Sequence, residues 1–189
     1  MPDFWQVVEF SHMLLKEYIN KNGVVIDATM GNGYDTIFLA NLVGEKGRVI
    51  SFDIQKRAIE NSKRRLEKNK LMDRVEIIED GHENLDKYID KKIDAIIFNL
   101  GYLPGANKSI TTKRTTTITA FKKGLNYLKI GGIIVLVIYT GHPGGIEELN
   151  AVLDFASSLD QNNYNVLRYN FINQQSSPQV LAVISRKNK

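Results

Sequence analysis

The chain contains no cysteine. A disulfide framework, a thiolate zinc site, a cysteine-held iron–sulfur cluster and a cysteine nucleophile are therefore excluded. Histidine is scarce as well: His12, His82 and His142 stand far apart without ligand spacing, so no metal is expected. Long hydrophobic runs are missing. The longest, from Ile130 to Tyr139, falls well short of the roughly 20 residues that span a bilayer. The N-terminal MPDFWQVVEF has no basic stretch leading into an apolar core, so no secretory signal is expected. These absences lead to the expectation of a soluble, cytoplasmic protein with no membrane association.

What is present is globular. Of 189 residues, 43% are hydrophobic and 24% charged, and that length suits one domain over residues 1–189. Residues 1–22 are expected to supply an N-terminal helix packed on it. The net charge of +4 conceals an asymmetry. Residues 55–70 hold Lys56, Arg57, Lys63, Arg64, Arg65, Lys68 and Lys70 against Glu60 and Glu67. Residues 106–125 hold Lys108, Lys113, Arg114, Lys122 and Lys123 and no acid. Each stretch alone exceeds the charge of the whole chain, so the remainder is acidic. Two basic segments on an acidic body suit either a polyanion contact or two solvated helix faces.

Chain order predicts the fold. Phe4, Val7, Val8, Ser11, Leu14, Leu15 and Tyr18 recur at helical spacing over residues 4–18. VVIDA (24–28) is too short for a helix and ends in glycine-rich sequence, which reads as a buried strand. Further strands are expected at 48–53, 74–79, 93–99 and 132–139, and helices at 34–43, 55–69, 83–89, 115–129 and 146–159. Residues 163–171 and 179–186 read as strands with only a polar loop between them, hence antiparallel to each other. Strands separated by helices build a parallel sheet covered on both faces. The expectation is an α/β, doubly wound sheet of seven strands, mostly parallel, with an antiparallel C-terminal strand. Ligands then belong at the carboxyl ends of the strands, near the switch between strands one and four.

The loops at those ends carry the chemistry. Strand one runs into Asp27-Ala28-Thr29-Met30-Gly31-Asn32-Gly33-Tyr34-Asp35-Thr36. Gly31 and Gly33 permit a tight turn and a close backbone approach to a ligand, ahead of a helix N-terminus. Thr36 stands where a dinucleotide fingerprint needs its third glycine. Asp27 would repel a pyrophosphate but suits a ligand that carries positive charge. Asp53 closes strand two, twenty residues after Gly33. At that offset an acid accepts hydrogen bonds from the ribose of an adenosine; capping the next helix is the other reading. Gln55 lies within reach of the same ligand.

Together these features resemble the class I S-adenosylmethionine-dependent methyltransferases across essentially the whole chain, and imply a Rossmann-like fold with S-adenosyl-L-methionine as cofactor. The resemblance implies that Asp27, Gly31, Asn32 and Gly33 surround the methionine part and that Asp53 holds the ribose. Thr29, Met30, Asp35, Thr36 and Gln55 complete the implied contacts. Gly81-His82 stands where the family often shows Gly-Asp, so His82 would meet the adenine by ring edge or stacking. Strand four runs into Asn99-Leu100-Gly101-Tyr102-Leu103-Pro104, in register with the Asn-Pro-Pro-Tyr loop of methyltransferases that modify amino groups on bases. Leu100 and Gly101 replace both prolines. An amine presents N–H donors, which the Asn99 side-chain oxygen and the Leu100 carbonyl could accept, and Tyr102 offers a stacking face for a flipped or single-stranded base. A plain turn is the other reading of this stretch. Gly101, Pro104, Lys108, Lys113 and Arg114 are expected on the substrate side.

DATMGNGYDT, DGHENL, NLGYLPG and YTGHPGG taken together resemble a small bacterial group once labelled as rRNA methylases. That group is associated with methylation of the aminomethyl nitrogen of 5-aminomethyl-2-thiouridine at the tRNA wobble position, which implies the tRNA anticodon region as substrate. Without a cysteine, the usual covalent route to methylation at a pyrimidine C5 is closed. His142 is open to two roles: a base acting through water, or a phosphate or base contact before the helix that Gly144-Gly145 opens. His12 reads as a packed or surface residue of the first helix. Competing functions are rRNA or DNA amino-group methylation, a nucleotide-dependent oxidoreductase (opposed by Asp27 and Thr36), and a non-catalytic RNA-binding module.

Overall fold

The computed structural model describes residues 4–103, 105, 110–175 and 177–186. Seven strands form one sheet in the order β3-β2-β1-β4-β5-β7-β6. They are β1 (Val24–Asp27), β2 (Arg48–Phe52), β3 (Val75–Ile78), β4 (Ile93–Leu100), β5 (Leu128–Ile138), β6 (Tyr164–Tyr169) and β7 (Gln179–Ser185). All neighbours up to β5 pair in parallel, while β7 runs antiparallel to both β5 and β6. The reversed strand therefore lies between two that share a direction. β1 sits between β2 and β4, so both its edges are paired, and with helices over both faces of the sheet all four of its residues are buried.

Strand alternation divides the core in two. Ile26, Phe52, Ile96, Phe98 and Leu136 face α4 (Arg114–Tyr127), α5 (Gly145–Ser157) and a 3-10 helix, His82–Lys87. Val25, Val49, Ile97, Val135 and Val180 face α1 (Val7–Tyr18), α2 (Tyr34–Val43) and α3 (Lys56–Lys68). α1 starts at Val7 and not at Phe4, because Glu9 reaches back to the Gln6 N–H at 3.2 Å and closes the first turn there. Phe10 of α1 stacks on Tyr169 at 4.2 Å, which ties the helix to the far strands. None of the helices among the described residues is long and apolar enough to cross a membrane.

Two elements differ from the sequence reading. The segment expected as a helix at 83–89 is the 3-10 helix His82–Lys87, whose turn is set by Asp80 accepting from the Gly81 N–H (2.7 Å) and Asn84 Nδ2 (2.9 Å). Gly131, which falls between the helix expected at 115–129 and the strand expected at 132–139, lies inside β5. The register slips between Ile93 and Ala95 of β4, and Gly131 absorbs the irregularity at φ +81°.

Candidate active site

A cavity of about 1000 Å³ opens over the carboxyl ends of β1, β2, β4 and β5, at the switch point that the strand order creates. Of the residues singled out from sequence, Thr29, Met30, Gly31, Asn32, Asp35, Asp53, Gln55, Gly81 and His82 line it, as do Asn99, Leu100, Gly101, Tyr102 and Lys113. Asp27, Gly33, Thr36, Arg114 and His142 do not. Pro104 and Lys108 lie outside the described residues.

Asp27 is fully buried and spends both oxygens on its own loop, accepting from the Thr29 N–H (3.2 Å) and from Thr36 Oγ1 (2.6 Å). Burial, and secondarily the charge of Asp35, pushes its carboxyl up to about 7 from an ordinary 3.8. Thr36 thus fills the space of the missing glycine as the partner of a buried acid. Gly31 and Gly33 both adopt left-handed φ, +52° and +80°. Only Gly31 faces the cavity: a Cβ on Gly33 would stand 2.7 Å from Ser62 Oγ, so that glycine serves the packing of the loop on α3. Arg65 holds the same loop, donating to the Asn32 carbonyl (3.0 Å) with its guanidinium 4.0 Å from the Tyr34 ring centre.

Asp53 accepts from the Gly31 N–H (2.9 Å) and the Gln55 N–H (2.8 Å). It therefore braces the glycine loop and the start of α3 together, and burial raises its carboxyl above the usual range. The Ile54 N–H donates to it as well, so of the roughly four acceptor positions of a carboxylate about one is left for a ligand hydroxyl. His82 is 9% exposed, and its Nδ1 lies 3.0 Å from the Ala28 carbonyl. That contact places the ring proton on Nδ1 and leaves Nε2 as an acceptor, which is buried and has no partner among the described residues. Burial lowers the affinity of the ring for a second proton. The ring of this neutral imidazole lines the cavity where an adenine can lie against it, while Nε2 itself is buried.

At the other end, the Asn99 N–H donates to Thr29 Oγ1 (2.6 Å) and its side-chain amide donates to Asp35. With Nδ2 committed to a carboxylate, Oδ1 is the atom left to accept. Asp35 also contacts Nε2 of His12 at 2.7 Å, so His12 is part of the site's surroundings and not an isolated surface residue. The Leu100 carbonyl, expected to accept from a substrate, already accepts the Tyr139 N–H (3.1 Å) as β4 continues alongside β5. Tyr102 pairs with Thr111 across the loop, and the edge of its ring meets His142 at 6.3 Å. His142 therefore stands behind Tyr102, its Nδ1 near the Pro143 carbonyl (3.1 Å).

Sequence reasoning missed Asp80, Tyr139 and Glu148. Asp80 and Tyr139 line the cavity. Glu148, fully buried in the first turn of α5, accepts from Thr112 Oγ1 (2.8 Å) and Thr117 Oγ1 (2.6 Å). Thr112 in turn exchanges two hydrogen bonds with Gly101, so Glu148 anchors the substrate loop from beneath. A Glu next to another Glu at a helix start reads as a solvated dipole partner, which is why nothing in the sequence marked it.

A pyrophosphate would find carboxylates here in place of donors. A hydroxyl acceptor, an imidazole ring and acids at the cavity wall are instead what S-adenosylmethionine asks of its site, and a protein of the same fold is solved with SAH. The fold and cavity thus define a Rossmann-like methyltransferase that uses S-adenosylmethionine. Comparison with known proteins agrees. The model of the family described as "Putative rRNA methylase" matches residues 49–185, and the chain belongs to that family. It is 36% identical, over 97% of its length and 70% of the relative's, to the chloroplastic tRNA (mnm(5)s(2)U34)-methyltransferase of Arabidopsis thaliana. A family structure from Clostridium thermocellum superposes with a TM-score of 0.95 at 45% identity, covering 97% of this chain and 100% of that one. A Streptococcus mutans protein solved in complex with SAH gives 0.89 at 39%, covering 97% and 99%.

Proposed function

We propose that the protein methylates an amino nitrogen of RNA, and specifically the aminomethyl nitrogen of 5-aminomethyl-2-thiouridine at the wobble position of tRNA. One observation carries the reading: the Asn99 amide gives its N–H to Asp35 and so presents an oxygen acceptor beside the exposed ring of Tyr102. An amine nucleophile offers N–H donors, and an acceptor that takes one aims the lone pair. The Arabidopsis relative, named for this nucleoside, supports the same choice.

When bound, S-adenosylmethionine supplies a methyl group on a sulfonium. The chain does the rest by placement. Asp53 and His82 would hold the adenosine; Asn99 aims the nitrogen; Tyr102 stacks the base, a contact worth about 1–3 kcal/mol. Leu103, buried at the cavity wall, helps exclude water. Holding both reactants in line supplies roughly 7–11 kcal/mol of the barrier. Lys113, at the rim, meets the RNA backbone. The volume of about 1000 Å³ stands at the upper end of the range for single-ligand pockets, roughly 300–1,000 Å³, and accommodates a nucleobase beside the cofactor.

The experiment is nucleoside mass spectrometry of tRNA bearing the aminomethyl group, incubated with protein and S-adenosylmethionine. The expected result is one added methyl on that nucleoside, with Asn99→Ala slowing transfer while cofactor affinity stays. Methylation of adenine in rRNA, with the aminomethyl nucleoside untouched, would overturn the reading.

A further inference from the structure

Asp35 sits in the first turn of α2, where the sequence suggested a cofactor contact. Its surroundings suit a different task. Oδ1 is 2.7 Å from His12 Nε2, and Oδ2 accepts the Asn99 amide. Two of about four acceptor positions are thereby used, on a side chain that is 13% exposed and lines the cavity. His12 lies flat on Phe38, ring centres 3.8 Å apart, and leaves 26% of its side chain exposed. The pair thus runs from the cavity wall through α1 to solvent. The charge of Asp35 reaches Asp27 of β1 and Tyr139 beyond β5, and burial followed by that charge raises the Tyr139 hydroxyl above its usual value. Lys16, one turn along α1, has its ammonium 5.9 Å from the Phe38 ring centre. Of Asp27 and Asp35, it is Asp35 that lines the cavity, as does Tyr139.

An alkylammonium cannot attack a methyl group until it has lost a proton. With a pKa near that of lysine, about 10.4, roughly one molecule in 10³ is neutral at pH 7. We propose that Asp35 and His12 form a proton exit for an alkylammonium substrate: a free lone pair of Asp35 accepts an N–H of the cationic nitrogen, and His12 passes the proton to solvent. In the step, one N–H bond breaks and its proton moves to Asp35 and then to the imidazole. The freed lone pair forms the N–C bond to the donor methyl while the S–C bond breaks towards sulfur. The product leaves as a secondary ammonium, and one proton is released per turnover. This inference rests on the alkylamine reading of the substrate.

Two measurements test it. In titrations without cofactor, wild-type protein should prefer an anticodon stem–loop carrying 5-aminomethyl-2-thiouridine to one carrying neutral 5-methyl-2-thiouridine, and Asp35→Asn should erase that preference. In single turnover, Asp35→Asn and His12→Ala should be at least about tenfold slower at pH 7. The deficit should close towards pH 10, where the amine deprotonates unaided, and added imidazole should restore His12→Ala. A loss that is merely structural would be constant with pH and indifferent to imidazole. Variants equal to wild type at pH 7, or a deficit unchanged by both pH and imidazole, would overturn the relay alone. Wild-type protein inactive on the aminomethyl RNA would overturn the substrate reading and the relay with it. If Asp35→Asn fails to fold, the imidazole response of His12→Ala decides.

Discussion

Asp53 divides its acceptor capacity between its own chain and the cavity. Asp53→Ala should weaken S-adenosylmethionine binding by roughly 1.5–3 kcal/mol, the scale of hydrogen bonds to a charged group, as read by calorimetry. A circular dichroism spectrum like that of wild type would separate this loss from unfolding. Asp27 makes a prediction of a different kind. Its value in the folded chain, about 7, stands above the ordinary 3.8. The protonated group therefore favours the fold fully below about pH 4, and that contribution is lost as pH rises through 7. Asp27→Asn, which cannot ionise, should flatten the fall of Tm between about pH 4 and 7. An unchanged pH slope would show that Asp27 is ionised throughout.

At the scale of elements, the loop after β4 is held from below as well as by its own pairing of Gly101 with Thr112. Glu148 links α5 to Thr117 of α4 and to Thr112 of the loop. Glu148→Ala leaves buried hydroxyls without their acceptor, and should cost roughly 1–3 kcal/mol in urea unfolding. The same change should lower the turnover of RNA more than the affinity for cofactor, because Thr112 carries Gly101 and not the glycine loop. Other elements could be read directly from sequence. Ala58, Ile59, Ser62 and Leu66 form the buried stripe of α3, at the positions their spacing indicates. The bulge in β5 could not be, because a Gly-Gly pair ends helices and kinks strands alike.

For the whole molecule, the two basic segments separate by what their charges touch. Arg65 braces the glycine loop, Lys123 is paired with Asp86 at 2.7 Å, and Lys122 lies over Phe155. Lys113 lines the cavity and Arg114 opens α4 beside it. On the proposed reading, RNA at the cavity meets Lys113 and Arg114 first among the cations of the described residues. Neutralising Lys113 and Arg114 should flatten the dependence of log affinity for tRNA on log salt, by about one unit for each phosphate left without its cation. Changing Lys63 and Arg64 on α3 should matter less. Filter binding at several salt concentrations checks both, and the opposite ranking would move the RNA to the α3 face.

The sequence by itself determined the α/β order, the reversed strand near the end and the residues from Thr29 to Asn32, because buried parallel strands and glycine turns are local signals with a fixed spacing. It also placed Asp53, Asn99 and Tyr102 at the cavity, since each stands at or just past the carboxyl end of a strand next to the switch point. Only the tertiary structure decided what those residues touch. His12, 23 positions from Asp35, and Asn99, 64 positions away, meet it because α1, α2 and β4 converge on one point. Asp27 turns out to face its own loop, and His142 to stand behind Tyr102. A side chain's partners are set by which elements cross, and that crossing is a property of the packed core that local residue spacing does not encode.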